Sequence, residues 1–300
     1  MADKILERKI SVTIALNPKA TNKTFEGTDS NTVTLEGLRI SATIQKAGGP
    51  SDCTMNMVIY GMTLSQMNQL STLGMQINLI PQNSVTVSAG DEDSGMGTVF
   101  VGSILAAYAD FNQSPEVPFY ISAHTGLLQA VLPAEASSFQ GSADVATIMS
   151  GLATKMGLTF ENNGVTGKLQ NPYFSGSLRN QVHEVARAAN ISHVIDLQKL
   201  AIWPKNGSRG GQIPVLSKTT GMKGYPSYTA YGISVESVFN RNIAFGGKIK
   251  VETSVLPAAN GEWAVYGLTH QLECLTPNGK WFTTILGYNP KYPTPLPNAR

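Results

Sequence analysis

Histidine side chains are the first candidates for chemistry, because an imidazole can act as a general base or bind a metal ion near neutral pH. The sequence contains four of them, at His124, His183, His193 and His270. None of these has the HxH or HxxxH spacing that presents two imidazoles on one strand or one helix. Because a catalytic site requires several groups that converge on one point, we expect each histidine to be a packed or surface residue.

The acidic run at residues 91–95 has a partial likeness to a calcium-binding loop. Asp91, Glu92 and Asp93 could supply carboxylate oxygens, but such a loop also needs a bidentate carboxylate at its twelfth position. Counted from Asp91, that position is Gly102. The sequence therefore predicts a solvated hairpin loop here.

Other reactive patterns are missing from the sequence. Cys53 and Cys274 are far apart and lack CxxC spacing, so we expect reduced, buried thiols. No GxSxG, Walker or HExxH motif occurs, and the glycines at 207–211 do not stand between a strand and a helix. We therefore predict a non-enzymatic protein with no catalytic, cofactor-binding or metal-binding residue and no cofactor.

Composition also restricts the function. Charged residues make up 14% of the chain and hydrophobic residues 42%, against a charged share of about 25% in typical soluble domains. Neutral polar residues must cover the surface, and such faces often pair with other subunits. With a net charge of +2 and scattered lysines and arginines, we expect no specific nucleic-acid binding. We also expect no membrane segment and no secretory signal, and so synthesis and retention in the cytosol.

Alternating hydrophobic residues predict an antiparallel sheet or barrel with one inserted helix in residues 1–125. Strands are expected at 9–16, 38–44, 53–59, 85–89, 99–104 and 119–123, with turns at 48–50 and 91–97. Thr63 and Gln66 have the spacing of a capping box, which predicts a helix after Thr63.

Residues 126–206 have the pattern of a small α+β domain. Val145, Ile148, Leu152 and Met156 form one apolar helical stripe that ends at Gly157. A second helix is expected after Ser177, followed by a strand pair at 194–195 and 200–203.

Residues 207–300 are predicted to contain a linker or mobile loop at 207–224 and then a second β domain. This domain repeats one feature of the first. Residues 85–87 lead through an acidic loop to 99–102, and residues 249–251 lead through an Asn260–Gly261 turn to 264–267. Both hairpins end their second strand in a hydrophobic triplet followed by glycine, which suggests an internal repeat.

Several segments, in this order along the chain, resemble the baseplate hub family of tailed bacteriophages, which is related to the hub portion of type VI secretion spike proteins. They are IYGMT at 59–63 followed by Met67 and Leu70, VTVSAG at 85–90, VFVGSI at 99–104, the helical segment 142–160 ending in GLTF at 157–160, NP at 171–172, the segments 178–189 and 200–204, GISV at 232–235, FN at 239–240, GGKI at 246–249, GEW at 261–263, His270 and GKW at 279–281.

The resemblance implies a mainly β fold with two tube-like antiparallel β-barrel domains, at 1–125 and 207–300, flanking a middle domain with two helices. It also implies a homotrimer whose pseudo-sixfold ring joins a hexameric tail tube to a trimeric spike and forms part of the DNA passage. The implied partners are the tail tube protein, a spike or tail-tip protein and other baseplate proteins. The implied location is the virion tail baseplate, after assembly in the host cytoplasm. Since the sequence stops at Arg300, we expect the spike to be a separate chain and no fused lysozyme.

Two alternatives remain open from the sequence. One is a tail-tube or distal-tail ring protein, which belongs to the same structural class. The other is a carbohydrate-binding or hydrolytic β protein, because folding could bring two distant carboxylates together as in glycosidases.

Overall fold

The computed structural model of the chain describes residues 7–17, 24–72, 83–93, 95–253 and 255–291. Within these ranges the fold is mainly β, with four α-helices, as the sequence predicts. No helix in the described ranges is long and apolar enough to cross a membrane. The chain divides into two compact units. The first comprises Met1–Ile44, Thr54–Leu127 and His270–Trp281, and the second comprises Gln45–Cys53, Leu128–Thr269 and Phe282–Arg300.

The first unit is built on one antiparallel sheet. Its elements are β1 (Arg8–Ala15), β2 (Thr32–Leu35), β3 (Arg39–Lys46), β4 (Thr54–Tyr60), α1 (Leu64–Leu70), β5 (Ser84–Asp91), β6 (Gly97–Ala109) and β7 (Pro118–His124). The strands lie in the order β3-β4-β7-β6-β5-β1-β2. All six strands expected between residues 9 and 123 are confirmed, and β2 is an additional strand that pairs with β1.

Alternation explains why this sheet has one buried face. In β1, Ile10, Val12 and Ile14 are at most 3% exposed, while the intervening side chains are half-buried. The same alternation in β3, β4, β5 and β7 builds the core. The capping box of α1 is confirmed in both directions: the Gln66 N–H donates to Thr63 Oγ1 at 3.3 Å, and the Thr63 N–H donates to Gln66 Oε1 at 3.2 Å.

The second unit contains the remaining elements. They are α2 (Leu127–Val131), β8 (Ser137–Ser138), β9 (Ser142–Asp144), α3 (Val145–Lys155), β10 (Thr159–Asn162), β11 (Lys168–Gln170), β12 (Tyr173–Phe174), α4 (Leu178–Ala188), β13 (Ile191–Asp196), β14 (Lys199–Pro204), β15 (Val215–Leu216), β16 (Met222–Thr229), β17 (Gly232–Val238), β18 (Lys248–Val251), β19 (Gly261–Cys274) and β20 (Trp281–Tyr288). The last residues of β19 and the first of β20 fall in the first unit's ranges.

The predicted α+β part is confirmed at the level of its elements. Helices α3 and α4 share one hydrophobic core with the three-stranded sheet β10-β14-β13. Helix α4 is capped by Ser177 as predicted, and α3 is capped by Asp144. Gly157, just past α3, has φ of +70°, the left-handed conformation that glycine adopts without strain.

The strand path of the second unit repeats the strand order of the first. In the second unit the strands lie in the order β16-β17-β20-β19-β18-β15, and in the first unit they lie in the order β3-β4-β7-β6-β5-β1. When each set of six is numbered along the chain, both orders are second, third, sixth, fifth, fourth and first. In both sheets the last three strands form a meander with a long middle strand, β6 or β19. The two predicted hairpins, β5–β6 and β18–β19, are both antiparallel pairs. An internal repeat is therefore present in the topology.

The repeat is not exact. Strand β1 pairs antiparallel with β5, whereas β15 pairs parallel with β18. In the first hairpin Gly102 lies opposite Val85. In the second hairpin Ile249 lies opposite Trp263, and Gly267 lies beyond the residues of β19 that pair with β18. The two glycines therefore occupy different register positions. The predicted tight turn at Asn260–Gly261 is wrong: a longer connection with a 3-10 turn at Pro257–Ala259 joins the strands, and Gly261 begins β19.

One further expectation needs correction. The stretch 207–224, predicted as a linker or mobile loop, contains β15 and the start of β16. Its glycines suggested a loop, but Arg209 binds a carboxylate and β15 pairs with β18. No closed barrel is found among the described residues, and the two-barrel arrangement remains a prediction. The three-domain division at 125 and 206 remains a prediction.

Candidate functional site

Folding brings together two of the four histidines that the sequence left separate. The rings of His183 on α4 and His193 on β13 have centroids 6.0 Å apart. Burial lowers the pKa of His193 to about 4, and the charges of His183 and Arg179 act in the same direction, while a hydrogen bond with the Gly49 backbone opposes them. His193 is therefore a neutral imidazole at neutral pH. The sequence could not show this pair, because the two residues belong to different elements.

This histidine pair lacks the groups that would make it a catalytic or metal site. The Nδ1 atom of His183 is buried without a hydrogen-bond partner. No group of three His, Cys, Asp or Glu side chains that could hold a metal ion occurs in the part of the chain that the structure describes. His124 lies at the end of β7, and His270 is buried on β19. The four imidazoles therefore do not converge.

A cavity of about 310 Å³ lies in the second unit beside the histidine pair. Its walls are mostly aromatic and apolar, and Arg187 and Lys205 are its cationic lining residues. No carboxylate lines it. Glycoside hydrolysis needs two carboxyl groups that flank the scissile bond, so this cavity does not supply the chemistry of the hydrolase alternative.

The acidic run at residues 91–95 forms the loop between β5 and β6, as predicted. Asp91 organises it: its carboxylate accepts the N–H of Asp93 at 3.0 Å, and its carbonyl accepts the N–H of Gly95 at 2.9 Å. Ser94 lies outside the described residues. Asp91 thus acts as a local turn residue.

The strongest charge cluster surrounds Glu161 on β10. Its carboxylate accepts hydrogen bonds from Arg209, at 3.1 Å to each oxygen, from Lys199 at 2.9 Å and from Asn163 at 3.0 Å. Burial alone would raise the pKa of Glu161, but the bonds from Arg209, Asn163 and Lys199 outweigh it and lower the pKa to about 2. A carboxylate held this firmly stays ionised and cannot act as an acid, so the cluster is structural. The sequence does not reveal this cluster, because Lys199 and Arg209 lie 38 and 48 residues from Glu161 along the chain.

One sheet face of the first unit carries mostly short uncharged side chains, and we call these residues the neutral face. Lys9 on β1 and Arg39 on β3 are charged residues on the same side of the sheet. The residues of the neutral face alternate with the buried core residues along their strands. They are Ser11, Thr13 and Ala15 on β1, Thr54, Asn56 and Val58 on β4, Ser84, Thr86 and Ser88 on β5, Thr98, Val101, Ser103 and Ala106 on β6, and Ser122 and His124 on β7.

Cross-strand register makes the neutral face continuous. Thr13 lies opposite Thr86, which lies opposite Val101. In another row Ser122 lies between Ala106 and Asn56. Because residues in register share one side of the sheet, these rows form a single surface.

The corresponding face in the second unit carries three ion pairs between lysine and glutamate. Lys223 pairs with Glu236 at 3.4 Å, Lys248 with Glu262 at 3.0 Å, and Lys250 with Glu252 at 2.8 Å. Three lysines and three glutamates give these pairs a net charge of zero. The two faces therefore differ, since the first carries mostly short uncharged side chains and the second carries ion pairs.

Comparison with known proteins identifies the family and the fold of the chain. The chain matches the family model described as baseplate hub gp41 over residues 11–284. No curated protein matches it in sequence.

Solved structures share its fold. The 43 kDa tail protein of prophage MuSo2 from Shewanella oneidensis has a TM-score of 0.59 at 9% identity, with 94% of this chain and 98% of that chain covered. The tail protein from Neisseria meningitidis MC58 also has a TM-score of 0.59 at 9% identity, with 93% and 96% covered. The E. coli c3393 protein, a component of the type VI secretion system with structural similarity to T4 bacteriophage tail proteins gp27 and gp5, has a TM-score of 0.56 at 10% identity, with 92% and 76% covered.

At such low identities these structures establish the fold, whereas the family model covers nearly the whole sequence. The resemblance seen in the ordered sequence segments is confirmed. This chain belongs to the baseplate hub gp41 family and is a structural component of a bacteriophage tail.

Proposed function

We propose that three copies of this chain form a pseudo-sixfold ring that joins a hexameric tail tube to a trimeric spike and surrounds part of the DNA passage. The observation that carries the proposal is the repeated order of six strands within one chain. A chain with two similar sheets presents six similar sheets when three copies assemble around one axis. Such a ring can contact sixfold symmetry on one side and threefold symmetry on the other.

The proposal includes the finer organisation expected from the sequence. Residues 1–125 and 207–300 would be the two tube-like barrel domains, and residues 126–206 the middle domain. The partners would be the tail tube protein, a spike or tail-tip protein and other baseplate proteins. The chain would assemble in the host cytoplasm, act in the virion and have no enzymatic activity of its own. The structural character of the matched family supports this last point.

The mass of the protein in solution tests the proposal. One chain has a mass of 32.0 kDa, so a trimer has three times that mass, about 96 kDa. We expect sedimentation or light scattering of the purified chain to give this value, a complex with the spike partner to have this mass plus that of the spike, and electron micrographs of the particle to show a ring with sixfold appearance.

Other results would contradict the proposal in distinct ways. A hexamer of six times 32.0 kDa, about 192 kDa, would favour the tail-tube or distal-tail ring alternative. A monomer that releases soluble fragments from peptidoglycan or polysaccharide would favour the hydrolase. A monomer that stays monomeric with the spike protein present would exclude the trimeric ring.

A further inference from the structure

The cavity beside the histidine pair has the composition of a protein-binding pocket. All its lining residues belong to the second unit. Trp203, Phe245, Tyr266 and Tyr288 supply aromatic walls. Tryptophan, tyrosine and arginine carry much of the binding energy at protein interfaces. The volume of about 310 Å³ is at the lower end of the usual range for ligand pockets, about 300 to 1,000 Å³, so the cavity suits one inserted ring better than a larger ligand.

The charge of the lining favours an acidic guest. Arg187 already pairs with Glu184 at 2.6 Å, whereas exposed Lys205 has no ion pair within the described part of the chain. No carboxylate lines the cavity. Lys205 is therefore an unneutralised charge at this site, and a guest with a carboxylate beside its apolar group would complement it.

One described segment of the chain presents these two features on its surface. Five aromatic side chains are exposed in the described ranges, at Tyr108, Phe111, Tyr173, Tyr225 and Tyr228. Of these five, Phe111 is the one that directly follows an acidic residue. It is 50% exposed and begins the 3-10 turn Phe111–Gln113 between β6 and β7, which Asp110 caps.

The carboxylate of Asp110 can accept a further hydrogen bond. Its Oδ1 accepts the backbone N–H and the side-chain amide of Asn112, each at 3.1 Å, and its Oδ2 accepts the side-chain amide of Gln113 at 2.9 Å. A carboxylate has about four acceptor positions, so one on Oδ2 remains. The hydrogen bonds from Gln113 and Asn112 also lower the pKa of Asp110, so the group is ionised at neutral pH.

We propose that Phe111 of one copy inserts into the cavity of the next copy and that its Asp110 carboxylate pairs with Lys205 there. The proposal rests on the proposed ring and names a contact that holds its subunits together. The turn belongs to the first unit and the cavity to the second. A contact between two different surfaces, repeated around a threefold axis, closes into a ring, and each trimer would contain three such contacts.

Dissociation of the trimer on dilution tests the apolar part of the contact. Because Phe111 is half-exposed, Phe111→Ala should leave the fold of each chain intact. Truncating an anchor residue weakens a contact by about thirtyfold or more, so we expect the midpoint concentration for dissociation to rise at least about thirtyfold. Tyr173→Ala removes a ring that is 66% exposed and should leave the midpoint unchanged. A Phe111→Ala trimer that dissociates at the wild-type concentration would overturn the proposal.

A charge exchange tests the ionic part. Asp110→Lys and Lys205→Glu should each raise the midpoint about tenfold, because each brings like charges together. The two changes combined in one chain should return the midpoint to within about threefold of wild type. Lys218→Glu reverses another exposed lysine of the second unit, which does not line the cavity, and is the control. Equal weakening by Lys205→Glu and Lys218→Glu, or additive losses in the combined variant, would contradict the pairing.

A zero-length crosslink locates the contact directly. A carbodiimide joins an amine to a carboxylate only where the two groups touch, and trimers mixed from isotope-labelled and unlabelled chains show whether the new amide joins two copies. We expect a mixed-isotope amide between Lys205 and Asp110. The Lys199–Glu161 pair, 2.9 Å apart, should form an amide within one chain. Trimers that form this internal amide but no Lys205–Asp110 amide would overturn the proposal.

Failure of the proposed ring looks different from failure of this contact. A wild-type chain that stays monomeric would remove the ring and the contact with it, whereas a wild-type trimer unaffected by Phe111→Ala and by the charge exchange would overturn the contact alone. In assembled particles, a Lys205 amide to a carboxylate of another tail protein would give the cavity to that partner and overturn its assignment to a second copy.

Discussion

At the scale of single residues, Glu161 shows how one carboxylate fixes a glycine-rich segment. The guanidinium of Arg209 donates hydrogen bonds to both carboxylate oxygens of Glu161. The backbone N–H of Arg209 donates to the Gly246 carbonyl at 2.7 Å, and the backbone N–H of Gly210 donates to Asn163 Oδ1 at 2.8 Å. A planar guanidinium with two matched hydrogen bonds positions a chain better than a lone ammonium would. The segment that looked like a linker is therefore attached to β10.

The first prediction concerns the pH dependence of this attachment. The native pKa of Glu161 is about 2, below its ordinary value of 4.5, so its stabilising effect is complete above the ordinary value and is lost as the pH falls from 4.5 towards 2. Because solvent screens this partly exposed cluster, we expect Glu161→Gln to lower the free energy of unfolding by about 1 kcal/mol at neutral pH. Urea unfolding at pH 6 and pH 3 measures this difference.

The comparison with a second carboxylate provides the control. Glu184 pairs with Arg187 on the exposed side of α4, with Arg187 70% exposed, so Glu184→Gln should change stability by less than about 0.5 kcal/mol. The gap between wild type and Glu161→Gln should narrow at pH 3. A gap of the same size at both pH values would show that the charge of Glu161 does not contribute.

At the scale of elements, local patterns predicted what depends on neighbouring residues in the sequence. Period-two hydrophobic alternation located six strands of the first unit but not β2, β15 or the start of β16. Thr63 and Ser177 located two helix starts, because caps are set within a few residues. Pairings between distant segments were not predictable in this way. The parallel contact of β15 with β18, the meeting of His183 with His193 and the Arg209–Glu161 bond all depend on tertiary packing.

The capping box of α1 gives the second prediction. Helix α1 has only seven residues, so its first turn depends strongly on the reciprocal bonds between Thr63 and Gln66. Thr63→Ala should lower the free energy of unfolding by about 1 kcal/mol, whereas Thr63→Ser, which keeps the hydroxyl, should stay within about 0.5 kcal/mol of wild type. Chemical denaturation measures both values. Equal losses in the two variants would mean that the threonine methyl, and not the cap, stabilises this helix.

At the scale of the whole molecule, the unpaired strand edges bear on how copies of the chain associate. Within the described residues, β2, β15 and β16 each pair with one neighbouring strand only and so leave one edge unpaired. Unpaired edges of this kind favour pairing with another chain. The sequence suggested the internal repeat from a single hairpin, but the matching order of six strands required the structure, since strand order is set by contacts between distant residues.

The last prediction follows from assembly of such a chain. If the native state is a trimer that dissociates as it unfolds, mass action makes its thermal midpoint depend on protein concentration, because three unfolded chains form from each native particle. Typical enthalpies for about 900 residues give a rise of about 1 to 2 °C for each tenfold increase in concentration. Calorimetry over a hundredfold range detects such a shift. Glu161→Gln should move every midpoint down and leave the slope unchanged, since its effect lies within one chain, whereas a midpoint independent of concentration would show that the subunits do not stabilise one another.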